Sequence, residues 1–273
     1  MKKFSATALL LSLSVLLLTG SASAEQPFIT LASTTSTQNS GLFDSILPKF
    51  TSASGIAVRV VAVGTGQAIR LARSGDADVL LVHHRPSEER FVAEHHGVDR
   101  RDVMYNDFVI VGPTEDPAGI KGMADAVAAL TKLAVASTVF VSRGDDSGTH
   151  KKERGLWTAA EVDPTADSGG WYRETGSGMG ATLNAANAMN GYALADRGTW
   201  MSFKNKGALK VMVEGDPRLF NPYGVILVNP AKHLHIKEDA GRRFIDWITS
   251  KAGQDAIAAF RIGGQPLFYP NPR

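Results

Sequence analysis

The 273-residue chain contains no cysteine. No disulfide framework can brace it, so its stability has to come from an ordinary packed core, and no thiol stands near the N-terminus to carry a lipid anchor. It also lacks an excess of either charge: 29 Lys plus Arg face 27 Asp plus Glu, and Lys2 with Lys3 supply the whole difference. A nucleic-acid binder shows a basic surplus or stripe, so any anion held here must be held by local dipoles and individual side chains. Long apolar runs are missing too, with one exception. Residues 8–18 are apolar apart from serines, follow the cationic Met1-Lys2-Lys3, and precede Ala22-Ser23-Ala24, which has the small-x-small form of a cleavage site. This is the pattern of a secretory signal peptide over residues 1–24, with an apolar core short for a bilayer span. An uncleaved anchor is the alternative, but no stop-transfer flank follows. The pattern predicts an exported chain that begins near Glu25 and is not inserted in a membrane.

What is present is alternation. Residues 28–32 read as a strand, and Leu42, Phe43, Ile46, Leu47 and Phe50 recur at helical spacing. A strand over 56–63, a helix over 67–74 before Gly75, a strand over 78–82 and a helix over 88–96 before Gly97 continue the order. Further on, 132–142 reads as a strand, 147–160 and 180–189 as helices, 209–214 as a strand, and 244–260 as a terminal amphipathic helix or helix pair. Such alternation implies an α/β chain of βαβ units with a parallel sheet covered on both faces. Two longer apolar segments, 103–112 and 222–229, bracket the middle of the chain. They suggest two lobes crossed by two strands, residues 25–110 with 225–273 in one and 111–224 in the other. A single doubly wound sheet would show the same alternation.

Three strand-to-helix turns are crowded with hydroxyls and glycine: Ser33 to Gly41, Val63 to Gln67, and the stretch SRGDDSGTHKKE that begins at Ser142. Ligands of open α/β sheets bind at such turns, where the first amides of each helix lack intrahelical partners and carry partial positive charge. An oxyanion there would accept hydrogen bonds from those amides and from Thr35, Ser36, Thr65, Ser147 and Thr149, with Gly64, Gly66 and Gly148 letting the backbone come close. Any one turn alone reads as an ordinary helix cap; the recurrence points to a ligand. Arg143 supplies a charged donor and Asp145 the group that holds it. Asp145 and Asp146 read as a magnesium or calcium site only weakly, since such ions want more carboxylates and an arginine repels them. An exported hydrolase using Ser147 and His150 is the enzyme alternative, but the G-x-S-x-G elbow is absent. Gly176-Ser177-Gly178-Met179-Gly180 departs from the G-x-G-x-x-G dinucleotide loop and reads as a tight helix start, with a place at the cleft open to it. His83-His84 and His95-His96 read as scattered surface histidines, because adjacent side chains point in different directions.

The stretches TTSTQNSGLFD, VGTGQA, SRGDDSGTHKKE, WYRETGSGMGATL, YALADRGTW and NPYGVI occur in that order from about Ile29 onward. Together they resemble the periplasmic tungstate-binding proteins of bacterial ABC importers, SRGDDSGTH and GSGMG being the most specific part. The related R-x-D-x-S-G-T pattern of the wider phosphate-binding group falls on Arg143, Asp145, Ser147, Gly148 and Thr149. The resemblance implies a two-lobed periplasmic-binding-protein fold of the type II kind, each lobe a mostly parallel sheet flanked by helices, joined by two crossing strands. It implies capture of a dehydrated tetrahedral oxyanion and delivery to a permease in the inner membrane, with no cofactor, no metal and no catalysis. Carried over by position, the ion is bound by Thr35, Ser36, Thr65, Arg143, Ser147, Gly148 and Thr149, supported by Asp145, Gly64 and Gly66. The family often has three threonines before the serine; here the first of those positions is Ser33. Tungstate and molybdate only accept hydrogen bonds at neutral pH, which suits a site made of donors. Phosphate keeps a proton and wants a carboxylate acceptor, a part Asp146 would fill, so phosphate and molybdate stand as alternatives.

Overall fold

The computed structural model describes residues 26–272; the expected signal peptide, residues 1–24, lies outside the described residues. The chain opens with β1 (Phe28–Thr34), α1 (Thr35–Asn39), α2 (Leu42–Ser54), β2 (Ala57–Val63), α3 (Thr65–Ser74), β3 (Val79–Val82), α4 (Arg85–Ala93) and the long β4 (Gly97–Pro113). The middle of the chain forms α5 (Ala126–Val135), β5 (Phe140–Ser142), α6 (Gly148–Ala159), β6 (Tyr172–Glu174), α7 (Met179–Ala188), β7 (Ala193–Asp196), α8 (Arg197–Ser202) and β8 (Leu209–Val213). The return strand β9 (Phe220–Val228) leads to α9 (Glu238–Thr249) and α10 (Lys251–Ala259).

Local chemistry accounts for most of these bounds. The five apolar residues at helical spacing on α2 are all buried, and the helix is bracketed by Gly41 and Gly55 at φ 82° and 75°, a left-handed conformation that glycine adopts without strain. Every residue of β3, Val-Leu-Leu-Val, is buried, as in a strand covered on both faces. β4 is longer than its apolar run predicts because its charged start is paired: Arg100 with Glu88 at 2.7 Å, Arg85 with Asp102 at 2.6 Å and Arg101 with Asp99 at 2.9 Å. Residues 132–142 are not one strand. Asp125 caps α5 by accepting from Ala128 N at 2.8 Å, the helix runs to Val135, and only 140–142 are extended.

β1 pairs in parallel with β2 and β3, whereas β9 enters antiparallel between β3 and β4. β4 continues past β9 to pair antiparallel with β7 and β8. The sheet is therefore mixed rather than mostly parallel, because β4 and β9 run in opposite directions through the middle of the molecule. Among the described residues three apolar cores follow from this. One draws on residues 29–104 and 223–268, and two smaller ones lie within 108–219. In the first core Phe50 meets Phe244 edge-on at 5.2 Å, which seats the terminal helix pair on the opening βαβ unit. Among the described residues no helix is long and apolar enough to cross a membrane.

Candidate functional site

The hydroxyl-rich turns become helix starts. Ser33 and Thr34 end β1, and Thr34 caps α1 by accepting from Thr37 N at 3.4 Å; the expected loop is thus a strand end and a short helix. Gly64 precedes α3 without a side-chain cap, leaving Thr65 as its first residue. Ser147 caps α6 by accepting from His150 N at 3.2 Å. A capping hydroxyl accepts from the helix and keeps its own proton, so it still has a bond to give a ligand. α7 starts at Gly178 with no side-chain cap at all, and its first amides are therefore open.

Arg143 is buried, and its guanidinium holds Asp145 Oδ2 through Nη2 at 2.5 Å and Nε at 3.1 Å. Asp145 Oδ1 also accepts from Ser147 N at 3.2 Å. Burial works against that carboxylate, but its bonds to Ser147 and Arg143 prevail and hold it below the usual carboxylate range. Asp146 turns away to Lys151, with most of its side chain exposed. Beneath the turn, Ser142 accepts from Gly144 N at 3.2 Å and donates to Glu153 at 2.9 Å, and Tyr172 donates to Glu153 at 2.7 Å. Burial pushes the Glu153 carboxyl up to about 7.

Thr35, Ser36, Asn39, Arg143, residues 178–181 and Thr199 line a cavity of about 200 Å³. Clefts for organic ligands run to roughly 300–1,000 Å³, so this space suits a small ion. Of the predicted residues, Thr35, Ser36 and Arg143 form its wall directly. Thr65, Ser147, Gly148 and Thr149 lie outside that lining. A methyl group added to Gly148 would stand 2.9 Å from Thr65 Oγ1 and 2.8 Å from His83 Cε1, so α6 abuts the opening βαβ unit there. Thr65 Oγ1 and Thr149 Oγ1 are both buried without a hydrogen-bond partner in the protein, a costly condition unless they serve a ligand. A Cβ on Gly66 would meet Asp146 at 2.5 Å, so its bareness admits that carboxylate. Gly64 has φ −67° and no protein atom within 4 Å of a virtual Cβ.

His83 overturns its expected surface placement. It is 4% exposed, lies 3.1 Å from Ser36 Oγ and 3.0 Å from Asn221 Oδ1, and stacks on Tyr223 at 4.9 Å. Its sequence signal was its place at the carboxyl end of β3, where ligands of such sheets bind. Residues 178–180, the helix start expected beside the cleft, line the cavity, while Ala181 and Thr199 were missed as its wall. Ser147 and His150 do not form a hydroxyl–imidazole pair: the serine accepts from the histidine backbone, and His150 Nδ1 accepts from Asp146 N at 3.1 Å. Among the described residues no group of three His, Asp or Glu side chains is placed to hold a metal ion.

Comparison with known proteins agrees with this architecture. A family model described as a PBP superfamily domain matches residues 19–252. Over 247 residues the chain is 49% identical to the tungstate-binding protein TupA of Peptoclostridium acidaminophilum, spanning 89% of this chain and 85% of that one. The structure of the tungstate-binding protein TupA from Desulfovibrio alaskensis G20 superposes with a TM-score of 0.80 at 46% identity, covering 90% of this chain and 100% of that one. That of the tungstate ABC transporter from Geobacter sulfurreducens gives 0.78 at 48% identity, over 85% and 98% of the two chains. The chain belongs to the PBP superfamily and, within it, to the family of the TupA proteins.

Proposed function

We propose that this chain is the substrate-binding protein of an ABC importer, which captures a tetrahedral dianion, foremost tungstate, and delivers it to an inner-membrane permease. In this reading residues 1–24 direct export to the periplasm, residues 25–110 with 225–273 and residues 111–224 form the two lobes, and closure hinges near Val111 and Val225. The relatives named above are tungstate-binding proteins, and the geometry supports the same ligand class here. The observation that carries the reading is a cavity wall that holds a guanidinium, hydroxyls and open amides but no carboxylate. Arg143, Ser36, Thr35 and the open amides of α7 border the cavity. Gly148, flanked by Ser147 and Thr149, stands beside Thr65 and His83, and His83 bonds Ser36 of the wall. Asp145 is taken up by Arg143 and Ser147, and Asp146 by Lys151.

Phosphate, which carries a proton at neutral pH, gains no carboxylate to accept it, whereas tungstate and molybdate ask only for donors. Binding rather than turnover is supported by Ser147, whose oxygen serves as a helix cap and does not meet the His150 imidazole. The test is calorimetric titration of the chain from Glu25 onward with tungstate, molybdate, sulfate and phosphate. One-to-one binding of tungstate or molybdate, with sulfate and phosphate weaker, is the expected result. A preference for phosphate, or no binding, would refute it.

A further inference from the structure

Ser36 lies between two demands. Its hydroxyl borders the cavity, yet it also sits 3.1 Å from His83 Nε2 and 3.0 Å from Thr34 Oγ1. A hydroxyl has one proton to give. On the far side of the ring, His83 Nδ1 faces Asn221 Oδ1 at 3.0 Å, and the Asn221 amide nitrogen donates to Asn106 Oδ1 at 2.7 Å. Asn221 thus presents an acceptor to the ring, Nδ1 carries the hydrogen, and in a neutral imidazole Nε2 is bare. Ser36 then gives its proton to Nε2 and turns lone pairs towards the cavity. That is the wrong sense for an ion that only accepts.

We propose that His83 is a positioning residue that sets the donor sense of Ser36, and that capture of the oxyanion brings a proton onto His83 Nε2. The protonated Nε2 donates to Ser36 Oγ, which releases the Ser36 hydrogen to the anion, while Nδ1–H keeps its bond to Asn221. The inference rests on the oxyanion reading given above.

The surroundings of the ring admit this change. His83 also borders a second cleft of about 500 Å³, with His84, Arg85, Lys151 and Lys152 in its wall, so solvent protons reach the imidazole without crossing the anion cavity. The charged and titratable groups that face it are Asp196 at the head of α8, Arg143 after β5 and Lys152 on α6, with Tyr223 of β9 stacked on it and His84 beside it. Burial depresses the basicity of the ring, Asp196 and the Asn221 bond oppose this, and Arg143 with Lys152 add to it. A dianion placed beside Ser36 adds two negative charges to that balance and favours the protonated ring.

The experiment is titration of the chain from Glu25 onward with sodium tungstate in buffers of different ionisation enthalpy, near pH 7.5, repeated from about pH 7 to 9. Uptake of about one proton per ion, with Kd rising about tenfold per pH unit, is the expected result. The His83→Gln variant should bind tungstate with a flat pH profile and no uptake; persistent uptake would overturn the assignment to His83. Absence of tungstate binding in every buffer would overturn the oxyanion reading and this inference with it. Binding with a buffer-independent enthalpy would overturn this inference alone. If the variant does not fold, imidazole nitrogen NMR of the native chain decides: both His83 nitrogens should carry hydrogen in the tungstate complex, and a bare one would overturn the proposal.

Discussion

Replacing Arg143 with alanine tests the site where it is most exposed to failure. Two effects add. The ion loses a charge-assisted hydrogen bond, which contributes about 1.5–3 kcal/mol and corresponds to roughly 10- to 150-fold in Kd. Asp145 also loses the guanidinium that holds it at 2.5 Å and 3.1 Å, and keeps its bonds to Ser147. Its carboxylate is then left beside the cavity wall as an uncompensated negative charge, facing a dianion. The combined expectation is a rise in Kd of at least about 100-fold. Arg143→Lys keeps the charge but not the fork that grips Asp145, so it should fall between native and alanine. Adding Asp145→Asn to Arg143→Ala removes the repulsion and should recover about tenfold of the loss. The assay is competitive calorimetry with tungstate, with unfolding in urea as the control for a damaged fold. An Arg143→Ala protein that binds tungstate within about threefold of native would refute the site. A double variant no better than the single one would refute the part assigned to Asp145.

Three further perturbations test other levels of the structure. Glu153 titrates at about 7 in the fold against an ordinary 4.5, so the folded chain holds the extra proton between those values; its contribution is complete below pH 4.5 and is lost as pH rises through 7, by roughly 3 kcal/mol. Native stability in urea should fall relative to Glu153→Gln between pH 5 and 8, and parallel curves would exclude the buried carboxyl as the cause. Gly148→Ala places a methyl group 2.8 Å from His83 and 2.9 Å from Thr65, an overpacking of about 1–3 kcal/mol; tungstate affinity should drop roughly 5- to 150-fold, and undiminished affinity would contradict the contact. Phe50→Ala empties the contact with Phe244 and Trp247 and should cost about 3–5 kcal/mol with the urea m-value unchanged. A loss below about 1.5 kcal/mol would mean the first core does not centre there.

Much of the fold was legible because local rules and tertiary structure agree. The face of α2, the glycine stops of α2 and α3 and the Ser147 cap of α6 each need only residues close in sequence. The failures have local causes. Residues 126–142 mix alanine with β-branched residues, and the Asp125 cap decides for helix over the first ten of them. The start of β4 is charged, and it becomes a strand only through its ladder with β9 and ion pairs to α4, to α9 and within β4 itself. Within the site, Arg143, Asp145 and Ser147 were readable because their bonds are two residues long. His83 was not, since its partners Ser36 and Asn221 lie 47 and 138 residues away in the chain.

Those long-range bonds tie the cavity to the strands that run through the middle of the molecule. Asn106 of β4 and Asn221 of β9 are register partners and bond each other at 2.7 Å. From Asn221 the path continues through His83 to Ser36, and Thr34 and Thr37 extend it at 3.0 Å and 2.8 Å. Tyr223 also contacts Thr37 and Asn221. Every member of this network is buried, and a buried polar network is stable only when its bonds are made in one consistent sense. Reversing the proton of Ser36 therefore has to be answered elsewhere in the network, and the ring nitrogen of His83 is the one atom there that can change its proton count near neutral pH. A chain whose acidic and basic residues nearly balance thereby gains a local positive charge when a dianion is bound, with Arg143 already committed to Asp145. The network that holds the two strands in register is thus also the one that answers the ion.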